Sequence, residues 1–170
     1  MNRTISKVFL GVLLSASALG LYAQGAPIVA EAGGMKLSLT IRGDTVEAVV
    51  EAPVTGWVAV GFNPSSRMKD ADFKIGYVKD GVAFARDDFG NSQISHGEDV
   101  RLGGTADLIS FSGTEADGKT VMTFVFPVDT GDSKDSPLKP GTHKVLLAAS
   151  RADNFTSIHT MRGSTTITIP

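Results

Sequence analysis

From Met35 the chain alternates: Met35, Leu37, Leu39 and Ile41 fall on one face of an extended segment, with Lys36, Ser38, Thr40 and Arg42 on the other. A two-residue period of this kind predicts a strand with one wet side. Gly43-Asp44 predicts a turn, and Val46, Ala48 and Val50 put a second strand in phase over residues 45–52. Residues 53–56 turn the chain into the short apolar run Trp57-Val-Ala-Val-Gly-Phe62, and after a polar loop the stretch DFKIGYV alternates again. Lys79-Asp80-Gly81 predicts a tight hairpin, because Asp-Gly accepts positive φ at both central positions, and the chain returns as residues 82–85. Residues 86–106 are rich in Asp, Ser and Gly and exceed an ordinary sandwich connection, a length that favours a functional or mobile loop. Residues 107–128 read as a hairpin turning at 115–118. In its second arm Val121, Thr123 and Val125 alternate with Met122, Phe124 and Phe126, so burial on both faces is expected. A second long loop spans 129–141, a strand 142–150, a third loop 151–162 and a closing strand 164–169. Nine or more short strands, with no amphipathic helix and no internal repeat, predict an all-β chain folded as an antiparallel immunoglobulin-like β-sandwich.

The two ends of this pattern differ from its middle. Arg3 and Lys7, the apolar core VFLGVLLSASALGL and the small-residue site Leu21-Tyr22-Ala23 read as a secretory signal over residues 1–23, predicting a periplasmic or secreted protein. The apolar stretch is shorter than the roughly 20 residues a bilayer span requires. Residues 24–34, small and aperiodic, are expected to be a flexible lead-in, leaving 35–170 as one domain. The whole chain has 16 basic and 18 acidic residues. Cleavage would remove Arg3 and Lys7, leaving a formal charge of −4 (14 minus 18). An acidic balance argues against nucleic acid as partner, since phosphate binding needs a basic face. The absence of cysteine excludes thiolate-ligated metal, iron–sulfur clusters and covalently attached c-type haem.

Candidate chemistry is sparse. There is no Gly-x-Ser-x-Gly elbow, no phosphate-binding Gly-rich loop and no zinc motif, so the chain is not expected to be an enzyme. Asp87 and Asp88 are adjacent on a strand and therefore point to opposite faces, which argues against an acid–base pair. Met68, in the polar loop after Phe62, reads by itself as a gap-filler over core, and His159 by itself as a solvated or hydrogen-bonded side chain. His96 reads as solvated and His143 as a sheet-edge residue.

The order Trp57, apolar run, Gly61-Phe62, polar loop, Met68, Ala71-Asp72, Ile75-Gly76-Tyr77-Val78 and Lys79-Asp80-Gly81 resembles the DOMON domain, found in the cytochrome domain of cellobiose dehydrogenase and in plant and bacterial electron-transfer proteins. The resemblance continues through Asp87-Asp88, the run from Phe111 to Ser150 and His159, nearly all of the chain after residue 34. It implies a β-sandwich that binds haem b or, in some branches, sugars. Carried over to this chain, it implies non-covalent haem b with Met68 and His159 as axial ligands. It also implies exchange of single electrons with a separate redox partner protein, such as a membrane cytochrome or a dehydrogenase. The two ligands, 91 positions apart, are expected to meet where loops cluster at one end of the sandwich. Phe62, Ile75, Tyr77, Phe124, Phe126 and Leu147 are the candidate walls of the haem slot, with Met161 lining it and Arg151, Arg162 and Lys69 near the propionates. Each wall residue reads equally as sandwich core. Two alternatives stay open: a carbohydrate- or small-ligand-binding module without haem, and a haem subunit of a molybdenum dehydrogenase in which Lys69 or Lys74 replaces the histidine.

Overall fold

The computed structural model describes residues 26–170, so the predicted signal over residues 1–23 lies outside the described residues. Eleven strands follow in chain order: β1 (Ile28–Ala32), β2 (Met35–Arg42), β3 (Thr45–Ala52), β4 (Val58–Phe62), β5 (Asp72–Lys79), β6 (Val82–Phe89), β7 (Gly97–Glu98), β8 (Ser110–Ala116), β9 (Lys119–Pro127), β10 (Gly141–Ala149) and β11 (Met161–Ile169). One sheet has the order β1-β2-β3-β9-β8 and the other β11-β10-β4-β5-β6-β7, with every pairing antiparallel. The two sheets form the expected sandwich. A short 3-10 helix, Asp99–Leu102, follows β7.

The core between the sheets is set by strand parity. Leu37 and Leu39 of β2, Val46, Ala48 and Val50 of β3, and Met122, Phe124 and Phe126 of β9 face Val58, Val60 and Phe62 of β4 and Val145, Leu147 and Ala149 of β10. Full burial of one such side chain contributes roughly 1.5–3 kcal/mol, so this layer holds the sandwich without disulfides. The second face of β9 departs from expectation: Val121, Thr123 and Val125 are only half-buried, because that face of the first sheet has no layer packed over it. The tight hairpins form where Asp-Gly predicted them, with positive φ at Asp80 and Gly81 and again at Asp117 and Gly118.

Two expectations are corrected. The lead-in is not irregular throughout: Ile28–Ala32 is a strand paired with β2, entered through Gly33 and Gly34 at φ 59° and 77°. Its period is too short and its residues too small to register as alternation. The polar stretch from residue 86 is also more ordered than expected, since β6 runs to Phe89 and β7 adds a further pairing. Among the described residues no helix is long and apolar enough to cross a membrane.

Candidate functional site

The outer face of the second sheet, turned away from the main core, is also apolar. In β4 the residues out of phase with the core, Trp57 (just before the strand) and Ala59, point outward, as does Ile75 of β5. Tyr77 of β5, Ala148 of β10 and Phe155 from the β10–β11 loop pack against them. The Phe155 ring lies 4.9 Å from Tyr77, and the guanidinium of Arg86 on β6 sits 4.7 Å over it. This loop therefore folds back across the sheet instead of extending into water. Backbone bonds fix its base: Ser150 N–H donates to Trp57 O at 2.9 Å and Trp57 N–H to Ala152 O at 3.2 Å. Gly56 at φ 144° permits this approach, since a Cβ there would lie 2.4 Å from Ser150 O.

Above this face lies a cavity of about 580 Å³, within the range of about 300–1,000 Å³ that holds cofactor-sized ligands. Trp57, Ala59, Phe73, Ile75 and Ala148 form its apolar part. Met68 and His159 both line it, as do His96 and the side chains of Arg67 and Arg162. The two expected ligands thus share one cavity, but not for the expected reason. β4 and β10 are antiparallel neighbours, so the loops that follow them leave opposite ends of the sheet. The Met68 loop and the His159 loop approach the cavity from those two ends instead of clustering at one.

The wall residues divide by parity. Ile75 borders the cavity directly, Tyr77 belongs to the outer-face cluster beside it, and Leu147 borders it while packing into the main core. Phe62, Phe124 and Phe126 are corrected: all three lie between the sheets, with Phe62 and Phe126 rings 5.9 Å apart, because each is in phase with the core-facing residues of its strand. Met161 is corrected likewise, since it packs against the main core beside Gly34. Of the expected propionate partners only Arg162 lines the cavity. Arg67, on the Met68 loop, lines it as well.

Backbone geometry holds Met68. Its loop contains three non-glycine residues at positive φ, Asn63, Arg67 and Asp70. It is tied to the segment after β6 by Asp70 N–H donating to Gly90 O at 2.8 Å and Gly90 N–H donating to Ala71 O at 2.8 Å. Gly90 passes so close to Met68 that a Cβ would lie 1.8 Å from its carbonyl oxygen. The same segment carries His96 to the Met68 side of the cavity.

His96, expected to be solvated, is the residue that sequence reasoning missed. Its ring lies 5.3 Å from Phe73, and its Nδ1 is 2.6 Å from Oδ2 of Asp88. Asp88 is buried and also accepts from Nε and Nη2 of Arg86. Burial opposes the charge on Asp88, but the hydrogen bonds from His96 and Arg86 prevail and hold its carboxyl below the usual range. With Nδ1–H donated to a carboxylate, Nε2 of His96 is left as the lone-pair nitrogen, an arrangement that commonly orients metal-ligating histidines. The signal in the sequence was Asp88 itself, an outward-facing acid on a strand whose outer face is otherwise apolar or basic. His143 points elsewhere: it is buried at the start of β10, with Nδ1 3.0 Å from Asn63 Nδ2 and Nε2 2.7 Å from Lys139 O.

A second polar centre lies at the end of the main core. Lys74, on the inner face of β5 and 1 % exposed, places Nζ 2.6 Å from both Asp72 and Asp87 and 3.4 Å from Asp135. Burial works against its charge, yet the three carboxylates outweigh it and raise the ammonium above its ordinary value. One ammonium cannot balance three buried carboxylates. Burial accordingly pushes Asp87 up to about 7 and Asp135 to about 6 against the pull of Lys74. This inward orientation removes Lys74 from the outer cavity, and Lys69 does not line it either.

The cavity carries features that suit haem. An apolar floor is flanked by a thioether and two imidazoles, with two guanidiniums for acidic substituents. The indole Nε1–H of Trp57 is buried without an acceptor among the described residues.

Comparison with known proteins agrees with this architecture. The DOMON domain matches residues 31–150. The cytochrome b domain of pyranose dehydrogenase from Coprinopsis cinerea is similar in structure, with a TM-score of 0.55 at 12 % identity over 79 % of this chain and 76 % of that one. The cytochrome domain of Myriococcum thermophilum cellobiose dehydrogenase gives a TM-score of 0.51 at 10 % identity, over 81 % and 76 %. At these identities the likeness is one of fold.

Proposed function

The chain belongs to the DOMON family, and from that membership we propose that it is a haem b-binding electron-transfer protein whose non-covalent haem lies in the outer-face cavity with Met68 and His159 as axial ligands. The observation that carries this reading is that a thioether and an imidazole, delivered by loops from opposite ends of one sheet, line the same apolar cavity. When bound with both axial positions filled by protein, haem passes single electrons and offers no open site to oxygen or substrate. The chain's own residues do the rest. Trp57, Ala59, Phe73, Ile75 and Ala148 would exclude water from the cavity floor, while Arg67 and Arg162 would pair with the propionates. The likeness to cytochrome domains of two dehydrogenases supports a dehydrogenase or membrane cytochrome as redox partner, in the periplasm or outside the cell.

One observation favours a second ligand set. His96 stands on the Met68 side, opposite His159, and the Asp88 hydrogen bond presents its Nε2. A His96/His159 pair would lower the reduction potential relative to Met68/His159. The sugar-binding alternative has less support, because Trp57, the one Trp of the chain, is buried at 3 % exposure and offers no open stacking face.

Haem titrated into the purified chain tests the reading by optical spectroscopy. A shifted Soret band with low-spin α and β bands is expected, with loss of the low-spin form in His159→Ala and in Met68→Leu and its retention in His96→Ala. Loss in His96→Ala with retention in Met68→Leu would replace Met68 by His96. No spectral change on haem addition would refute haem binding altogether.

A further inference from the structure

At the end of the sandwich beside Lys74, three acidic side chains from two segments converge. Asp99 opens the 3-10 helix, and Asp132 and Asp135 come from the β9–β10 loop. Each contributes a carboxylate oxygen lying within 4.8 Å of those of the other two. We propose that Asp99, Asp132 and Asp135 bind a hard divalent cation, calcium by preference, that pins the 3-10 helix to the β9–β10 loop.

The observation that singles out this cluster is Asp99. It is 1 % exposed, and neither of its carboxylate oxygens has a hydrogen-bond partner among the described residues. Leaving such a group buried and unpaired costs several kcal/mol or forces it to take up a proton. No hydrogen bond joins Asp99 to Asp132 or Asp135, so a shared proton does not bridge them. A separation of up to 4.8 Å is instead about twice a calcium–oxygen bond of roughly 2.3–2.6 Å, the spacing of oxygens around one cation. Gly104 keeps this space open, because a Cβ there would lie 2.6 Å from Oδ1 of Asp99.

The other two ligands are already oriented. Asp132 accepts from Thr105 N–H at 2.5 Å and from Lys134 N–H at 2.9 Å, and Asp135 from Thr130 Oγ1 at 2.6 Å. Backbone donation from Lys134 keeps Asp132 below the usual carboxylate range, while burial together with Asp135 and Asp132 pushes Asp99 up to about 7. Charge balance points the same way. Asp72, Asp87 and Asp135 already share the ammonium of Lys74, and Asp99 and Asp132 add two more carboxylates beside Asp135. Lys134, in the same loop as Asp132 and Asp135, holds its Nζ 4.9 Å over the Phe89 ring. Lys74 sits within the Asp72, Asp87 and Asp135 group, and no basic side chain bonds to Asp99. An all-oxygen set without His or Cys suits calcium, with loop carbonyls and water completing its six to eight ligands. Magnesium, by contrast, keeps most of its water.

Calcium chloride titrated into the chelator-treated full chain, haem-free and haem-loaded, is the test, with magnesium chloride in parallel. Isothermal calorimetry is expected to give one calcium per chain, with a proton release that diminishes as pH rises from about 6 to about 8. Thermal unfolding is expected to shift up by several degrees at a hundredfold excess over Kd. Asp99→Asn should weaken calcium at least tenfold and cut the thermal shift to about half or less, whereas Asp129→Asn, in the β9–β10 loop but paired with Lys139, should leave both unchanged. Asp132→Asn repeats the test should Asp99→Asn fail to fold. Heats equal to dilution on the folded native chain, or calcium binding unchanged in both ligand variants, would overturn the proposal.

Discussion

Gly90→Ala is the sharpest perturbation of the cavity, because it moves Met68 without touching its side chain. The new Cβ would lie 1.8 Å from Met68 O and 3.1 Å from Ala71 N, where ordinary contact begins at 3.4 Å. The two backbones must therefore part by about 1.6 Å. That movement breaks both hydrogen bonds between Gly90 and the Met68 loop, Asp70 N–H to Gly90 O and Gly90 N–H to Ala71 O. Each is worth about 0.5–1.5 kcal/mol, and forcing extra volume into packed structure costs a further 1–3 kcal/mol or so. The loop holds Asn63, Arg67 and Asp70 at positive φ, so it has little freedom to absorb the shift. A loss of about 2–6 kcal/mol is expected, read as a lower urea midpoint at unchanged slope. The same variant, titrated with haem, should lose its low-spin spectrum, because the thioether no longer reaches the cavity from its place. An unchanged urea midpoint would refute the packing argument. A lowered midpoint with a native low-spin spectrum would instead refute the role given to Met68.

Three further outcomes are expected. Lys74→Met leaves Asp72, Asp87 and Asp135 buried without a cation, and stability at pH 7 should fall by about 3–5 kcal/mol. Since Asp87 and Asp135 titrate above their unfolded values even beside Lys74, the deficit should shrink as pH falls from 7 toward 4, measured by urea unfolding at each pH. Asp88→Asn should cost about 1–3 kcal/mol at pH 7. Asp88 is depressed in the fold, so its contribution is present above about pH 4 and is lost as pH falls through the folded value. The cost of the substitution should vanish there, and nitrogen-15 spectra should show His96 losing its preference for the Nδ1–H tautomer. Phe124→Ala should destabilise the chain by about 3–5 kcal/mol while any haem spectrum stays native. A changed spectrum would mean that the two faces of the second sheet are not independent.

The alternation of Met35–Arg42 and 45–52 made the first sheet readable, and the Asp-Gly turns located two hairpins to the residue. What the pattern left open was which side of β4 and β5 faces the core. Val58 to Phe62 is buried at every position, so periodicity gives no phase, and Phe62 was assigned to a cavity wall when Ala59 and Trp57 occupy that face. His96 was hidden for a different reason. Its environment is made by Asp88 and Phe73, which reach it only through the pairing of β5, β6 and β7. Lys74 was equally hidden, since a lysine within DFKIGYV reads as the wet side of a strand until three carboxylates from separate segments surround it. Met68 and His159 were singled out by the family resemblance alone, and that they border one cavity from opposite ends of a sheet needed the strand order.

The second sheet works on both sides: one face closes the sandwich and the other floors the cavity. Since Val58, Val60 and Val145 are satisfied by the opposing sheet, the sandwich core closes independently of the smaller cluster that Trp57 and Ile75 form on the outer face. The loops bordering the outer face are therefore free to vary in length and sequence while the hydrocarbon layer beneath them stays the same.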